Sequence, residues 1–174
     1  MKNLIYALLA VFTLVSCSKE KDPGPAAVEG RWSLSSLQTK IQVLGSDPTD
    51  ETASFPAGAA YIDLKENNKL ASNIIMGDIT DDSGTLLTVG TQYESDYEIK
   101  GNTITLQLYD ADYEAYVPVK LNIKNQTDSQ LVLQITKAEL VETAKAYDEL
   151  EGSPIHSQML VFVTSLEATL TFAK

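Results

Sequence analysis

The chain is poor in the residues that thiol, metal and phosphate chemistry depend on. It has one cysteine, one histidine and one tryptophan among 174 residues, and Arg31 is its single arginine. One Cys excludes an intrachain disulfide framework and a Cys-rich zinc site. One His cannot build a multi-histidine metal centre. Positive charge is scarce as well: 13 Lys and Arg against 24 Asp and Glu give a formal charge of -11. Such a chain repels phosphate backbones, so nucleic acid is not an expected partner. No nucleophile elbow surrounds any serine, so no catalytic residue, metal ligand or cofactor is nominated, and an enzyme is not expected. What remains is ordinary for one folded domain: 44% hydrophobic and 21% charged residues,.

The apolar content is not spread evenly. Lys2 precedes an unbroken apolar run from Leu4 to Val15, too short to cross roughly 30 Å of hydrocarbon but of the length found in a secretory signal peptide. Residues 1–16 are therefore read as a signal segment. The sequence Leu14-Val15-Ser16-Cys17 resembles the bacterial lipobox, which implies that Cys17 becomes the first mature residue and carries lipid. Several acyl chains on one residue would hold the protein to a membrane, at about 0.8 kcal/mol per buried methylene. Residues 17–29 then form the anchor and a tether, because Ser18 to Ala27 carries charge, Pro and Gly but no large apolar side chain,. The implied location is the cell envelope, lipid-anchored at the outer membrane, with periplasmic and surface faces both open.

From Gly30 the dominant pattern is period two, the signature of β-strands. Strands are expected at about 31–44, 61–65, 70–76, 86–99, 103–109, 117–124, 131–136 and 159–172. Gly45–Gly58 and Gly77–Gly84 read as polar connections, and Glu66 to Lys69 as a turn whose asparagines tolerate left-handed backbone. The last strand is apolar on both faces over its first half, which predicts cover on both sides. One helix interrupts the series. Thr136 and Glu139 fit a capping box, Ile135 and Leu140 a hydrophobic staple, and Leu140, Val141, Ala144 and Tyr147 an apolar stripe that Gly152 and Pro154 end,. Tyr147 is assigned to packing of this helix on the sheet. Short connections require antiparallel pairing, and eight strands suit either a closed barrel or a β-sandwich.

Gly30-Arg31-Trp32 resembles the Gly-x-Trp signature that opens the first strand of lipocalins, and Ser95-Asp96-Tyr97 resembles that family's Thr-Asp-Tyr turn. With the lipobox, the chain is similar to lipocalin-like lipoproteins of the Bacteroidetes type. The resemblance implies an all-β fold, an antiparallel up-and-down eight-stranded barrel over residues 30–174 with one late α-helix. Trp32 would plug its closed end, the Gly45–Gly58 loop would overhang its open end, and a small hydrophobic or amphipathic molecule would occupy it. The family also stacks a late Arg on that Trp. Here the only Arg is Arg31, so either a Lys replaces it or the contact is missing.

Three side-chain groups remain. His156 follows the helix and reads as a solvated loop histidine. Asp110, Asp112 and Glu114 alternate as calcium ligands can, but Ala115 stands where a calcium loop needs Gly, and Asp78, Asp81 and Asp82 have no better spacing; both sets read as solvated acids. Eight tyrosines exceed the other aromatics. Tyr93, Tyr97, Tyr109 and Tyr116 are the ligand-contact candidates, since a ring with a polar tip suits a barrel mouth. Ordinary strand packing explains them equally. A second role for the whole chain also stands: a filled barrel acting as an interaction lipoprotein in an envelope complex.

Overall fold

The computed structural model describes residues 28–77 and 87–174. The signal, lipidation and tether assignments lie outside the described residues, as do Asp78, Asp81 and Asp82. Within the described residues the strands are β1 (Gly30–Val43), β2 (Thr49–Ser54), β3 (Tyr61–Lys65), β4 (Lys69–Met76), β5 (Leu87–Lys100), β6 (Thr103–Asp110), β7 (Ala115–Gln126), β8 (Gln130–Thr136) and β9 (Val163–Ala173). Helices α1 (Lys137–Glu151) and α2 (Ile155–Met159) stand between β8 and β9.

Eight strands run in the order β1-β3-β4-β5-β6-β7-β8-β9, each antiparallel to the next, and β9 returns to pair with β1 from Ser33↔Ala173 to Val43↔Val163. The sheet is therefore a closed barrel, an arrangement that removes exposed edges. β2 is additional to the barrel. β1 uses Gly30–Ser33 to pair with β3 and Ser36–Ile41 to pair with β2, so both occupy the same edge of one long strand. This corrects the reading of Gly45–Gly58 as an overhanging polar loop. All six residues of β2 are exposed, so no apolar alternation announces them; backbone pairing to β1 makes the strand.

Elsewhere the alternation does what period two dictates. Ile104, Leu106 and Leu108 are buried along β6 while Thr103, Thr105 and Gln107 are not, and β7 and β8 repeat the pattern. Bending the sheet requires bulges, which fall at Leu34/Ser36, Ser72/Ile74 and Ile123/Asn125. At the second, the buried Ser72 hydroxyl donates to the Tyr61 carbonyl at 2.9 Å and accepts the Ile74 N–H at 2.9 Å, replacing bonds the ladder loses there.

The helix has a structural reason to sit where it does. β8 ends at Thr136, while β7 extends beyond it to Ala115, so part of one β7 edge has no strand beside it. α1 fills that stretch of wall. Asn122 donates to Glu139 Oε1 at 3.0 Å, Thr143 Oγ1 donates to the Pro118 carbonyl at 3.1 Å, and the Tyr147 hydroxyl donates to Asp110 Oδ2. The capping box is present, with the Thr136 N–H donating to Glu139 Oε2 at 2.9 Å. Burial pushes the Glu139 carboxyl upward, but bonds from Thr136 and Asn122 outweigh it and bring its pKa to about 2,. Gly152 closes the helix in the left-handed conformation at φ 68°, as expected.

The two ends of the barrel differ. The end bearing the β3–β4, β5–β6 and β7–β8 turns also holds Gly30 and Lys174. Trp32 is fully buried there and donates Nε1–H to the Val28 carbonyl at 2.7 Å. Lys174 Nζ lies 4.4 Å from the centre of its ring, so a lysine takes the stacking place,. Arg31 instead covers Tyr61, at 3.7 Å. The opposite end gathers the β1–β2 and β6–β7 turns, the C-terminus of α1, α2 and the start of β9.

Candidate functional site

A barrel can act through its interior or through its rim, and here the interior is nearly full. The space that a water molecule could occupy is about 30 Å³; crevices too narrow for water and space open to solvent bring the total to about 530 Å³. The smaller figure decides what can bind, since ligand sites for organic molecules enclose roughly 300–1,000 Å³. Ile74, Leu106, Val119 and Phe172 line the void from the strands, Leu140 and Thr143 from α1. With a lining this apolar, water gains no hydrogen-bond partners inside.

None of the four tyrosine candidates lines this void. Tyr93, Tyr109 and Tyr116 come together as a cluster with ring centres 5.5–5.9 Å apart. Tyr109 and Tyr116 alternate with buried Leu108 and Val117, which places both on the outer face. Tyr93 donates to the Ile74 carbonyl at 2.6 Å and Tyr116 to the Glu94 carbonyl at 3.1 Å. Tyr97 is apart from them, 3% exposed, and donates to the Lys65 carbonyl at 3.1 Å. Burial raises the pKa of both Tyr93 and Tyr97. With their hydroxyls held by backbone carbonyls, Tyr93, Tyr97 and Tyr116 act as wall fittings.

A second aromatic group joins the β6–β7 turn to the helices. The Tyr113 hydroxyl donates to Glu151 and lies 3.2 Å from His156 Nε2, which is 3.3 Å from Glu151. The Tyr147 ring packs on both, with centres 5.2 Å from each. The Glu151 contact, then burial, pushes the Tyr113 pKa up to about 12, and burial followed by the Asp110 bond raises that of Tyr147. His156 is thus not a solvated loop residue: it sits in α2 with its side chain 12% exposed. Sequence distance hid this, because Tyr113 lies 43 residues away. Asp110 is likewise buried rather than solvated, accepting the Asp112 and Tyr113 N–H groups besides the Tyr147 hydroxyl.

The rim at this end carries the most unusual surface. Leu44 is 70% exposed, Met159 51%, Val161 72% and Phe162 61%. The Leu44 N–H donates to the Phe162 carbonyl at 2.7 Å, which sets the two segments side by side. This corrects the expectation of a last strand covered on both sides: β9 begins at Val163, and of the apolar run before it Leu160 is buried while Met159, Val161 and Phe162 stand on the rim. The helical turn of α2 shortens the strand and leaves those side chains outside.

Charge divides between the two ends. Around the rim, Val43–Glu51 holds Asp47, Asp50 and Glu51, Asp110–Tyr116 holds Asp110, Asp112 and Glu114, and Ala146–Leu166 holds Asp148, Glu149 and Glu151, with no Lys or Arg in any of the three segments. Lys40, on the strand leading to the rim, lies 3.8 Å from Asp50. At the Trp32 end, Arg31, Lys65, Lys69, Lys100, Lys124 and Lys174 nearly balance Glu29, Asp63, Glu66, Glu94, Asp96, Glu98 and Asp128, six bases against seven acids. Three of the lysines there are ion-paired, Lys65–Glu94 at 2.7 Å, Lys69–Asp96 at 2.5 Å and Lys100–Glu98 at 2.9 Å. The last turn of α1 adds to the asymmetry: it has acids and no base, although a helix C-terminus favours cations.

The fold and site thus define a closed antiparallel barrel with a packed interior and an apolar, acidic rim. The chain matches no protein-family model, no curated protein and no solved structure.

Proposed function

We propose that this protein is a lipid-anchored, lipocalin-like module of the cell envelope that works by protein contact at its rim, with the barrel as a rigid scaffold. The observation that carries this reading is the packed interior: about 30 Å³ leaves no place for an organic guest, while large apolar side chains stand exposed at the rim. Exposed apolar patches of this kind mark interaction sites. The anchor follows from Cys17 at the end of the lipobox-like segment, and outer-membrane attachment from the same resemblance. A photoreactive residue at position 162, introduced in the producing cell, is expected to trap a discrete protein adduct. Absence of any adduct, with a small molecule co-purifying with the protein, would overturn the reading.

A second reading keeps a small hydrophobic ligand inside the barrel. It is favoured by one observation: part of the void's wall is helix α1 rather than strand. A helix held by a few hydrogen bonds to β6 and β7 can move without breaking the barrel ladder, and its displacement would widen an entirely apolar space.

A further inference from the structure

We propose that the rim is a docking surface for a cationic amphipathic protein segment, one that lays an apolar face on Leu44, Val161 and Phe162 and basic side chains against the carboxylates around them. The inference rests on the protein-contact reading above and names the partner's chemistry.

Two independent features of the rim point to the same occupant. Exposed side chains of Leu44, Met159, Val161 and Phe162 offer apolar area that water solvates poorly,. Besides the buried Asp110, the flanking segments supply eight carboxylates and no Lys or Arg. A second copy of this chain would bring the same acids to the contact, and like charges facing each other across an interface oppose association. An anionic lipid surface is disfavoured for the same reason. A partner with interleaved Leu-like and Lys or Arg side chains satisfies both features, as basic amphipathic helices do in grooves.

Helix α1 strengthens the argument from its own chemistry. Asp148, Glu149 and Glu151 crowd the helix end where the backbone dipole is already negative,. Asp148 is partly compensated, since its carboxylate accepts the His156 and Ser157 N–H groups of α2 at 2.8 and 3.3 Å, and Glu151 meets Tyr113 and His156. Glu149 is exposed on the helix surface. A cation placed here meets the helix dipole and the carboxylates together. The opposite end of the barrel, where six bases face seven acids, has a far weaker preference.

The test uses the purified full-length chain and a fluorescein-labelled 18-residue peptide of Leu and Lys in helical amphipathic order, followed by fluorescence anisotropy. Saturable binding is expected, weakened at least tenfold by the pair Val161→Ser and Phe162→Ser and at least threefold by the pair Asp112→Asn and Glu149→Gln. The closed-end pair Lys65→Gln and Lys69→Gln should leave it within twofold. All substituted side chains are exposed or half-exposed, so circular dichroism melts should stay superimposable and exclude misfolding as the cause. Equal binding of the matching Leu/Gln peptide would overturn the cationic requirement, and binding indifferent to Val161→Ser with Phe162→Ser would overturn the site. Sedimentation showing a dimer dissolved by the same rim pair would assign the surface to a second copy. Flotation of the Cys17→Ala chain with zwitterionic vesicles, lost in the rim pair, would assign it to lipid. If the residue-162 adduct forms but the trapped segment is neutral or acidic, this inference fails while the protein-contact reading stands.

Discussion

Truncating Leu106 to alanine probes the packed interior at its centre. Leu106 is 3% exposed and borders the 30 Å³ void. Removing three buried carbons loses about 2 kcal/mol of transfer free energy. The space they leave, roughly 80 Å³ if the walls hold, adds up to about 2 kcal/mol at ~24 cal/mol per Å³. Partial collapse of the walls lowers the second contribution, so a loss of about 3 kcal/mol is expected, measured by urea denaturation with an unchanged m-value. The new space merges with the existing void into an apolar cavity on the order of 100 Å³, approaching the ~150 Å³ at which a dry apolar cavity takes up benzene. Leu106→Ala should therefore gain thermal stability in benzene-saturated buffer while the natural chain does not. A loss under 1 kcal/mol, or equal benzene stabilisation of the natural chain, would refute the claim that the interior is already filled.

Other consequences follow from single contacts. Replacing Lys174 with Gln removes the cation from the Trp32 ring and should cost about 1 kcal/mol in urea titrations, with Lys174→Arg retaining most of it. Glu139 has its folded pKa depressed to about 2. Its contribution is therefore fully present above the ordinary carboxylate range and is lost as pH falls from about 4.5 toward 2. After discounting for its partial exposure, this is worth about 1 kcal/mol, and Glu139→Gln should flatten that part of the stability–pH curve. Tyr147→Phe leaves Asp110 buried with only its turn N–H partners and should cost about 2 kcal/mol in a thermal or urea melt.

The sequence carried the barrel well because most of its strands bury one face only. Ile104, Leu106 and Leu108, or Leu131, Leu133 and Ile135, announce themselves by alternation, and the Thr136–Glu139 box and Gly152 bound the helix from local chemistry alone. β2 left no such mark, since a strand exposed on both faces has no period to detect. The rim was misread for the opposite reason. Met159 to Val163 is apolar at every position, so composition indicated burial where the α2 turn instead leaves Val161 and Phe162 outside. Long-range polar contacts, such as Tyr113 with His156 or Tyr147 with Asp110, follow from barrel closure and have no local signature. The tyrosine bias was visible, but only the register of β6 against β7, with Tyr109 opposite Tyr116, shows that the two stand side by side.

The central claim is a filled barrel that works through its rim, and native mass spectrometry of the protein purified from its own host tests it most directly. The expected mass is that of the chain with its covalent modifications and no stoichiometric non-covalent small molecule. An adduct of one organic molecule per chain, released by solvent extraction and displaced by an added apolar competitor, would contradict it.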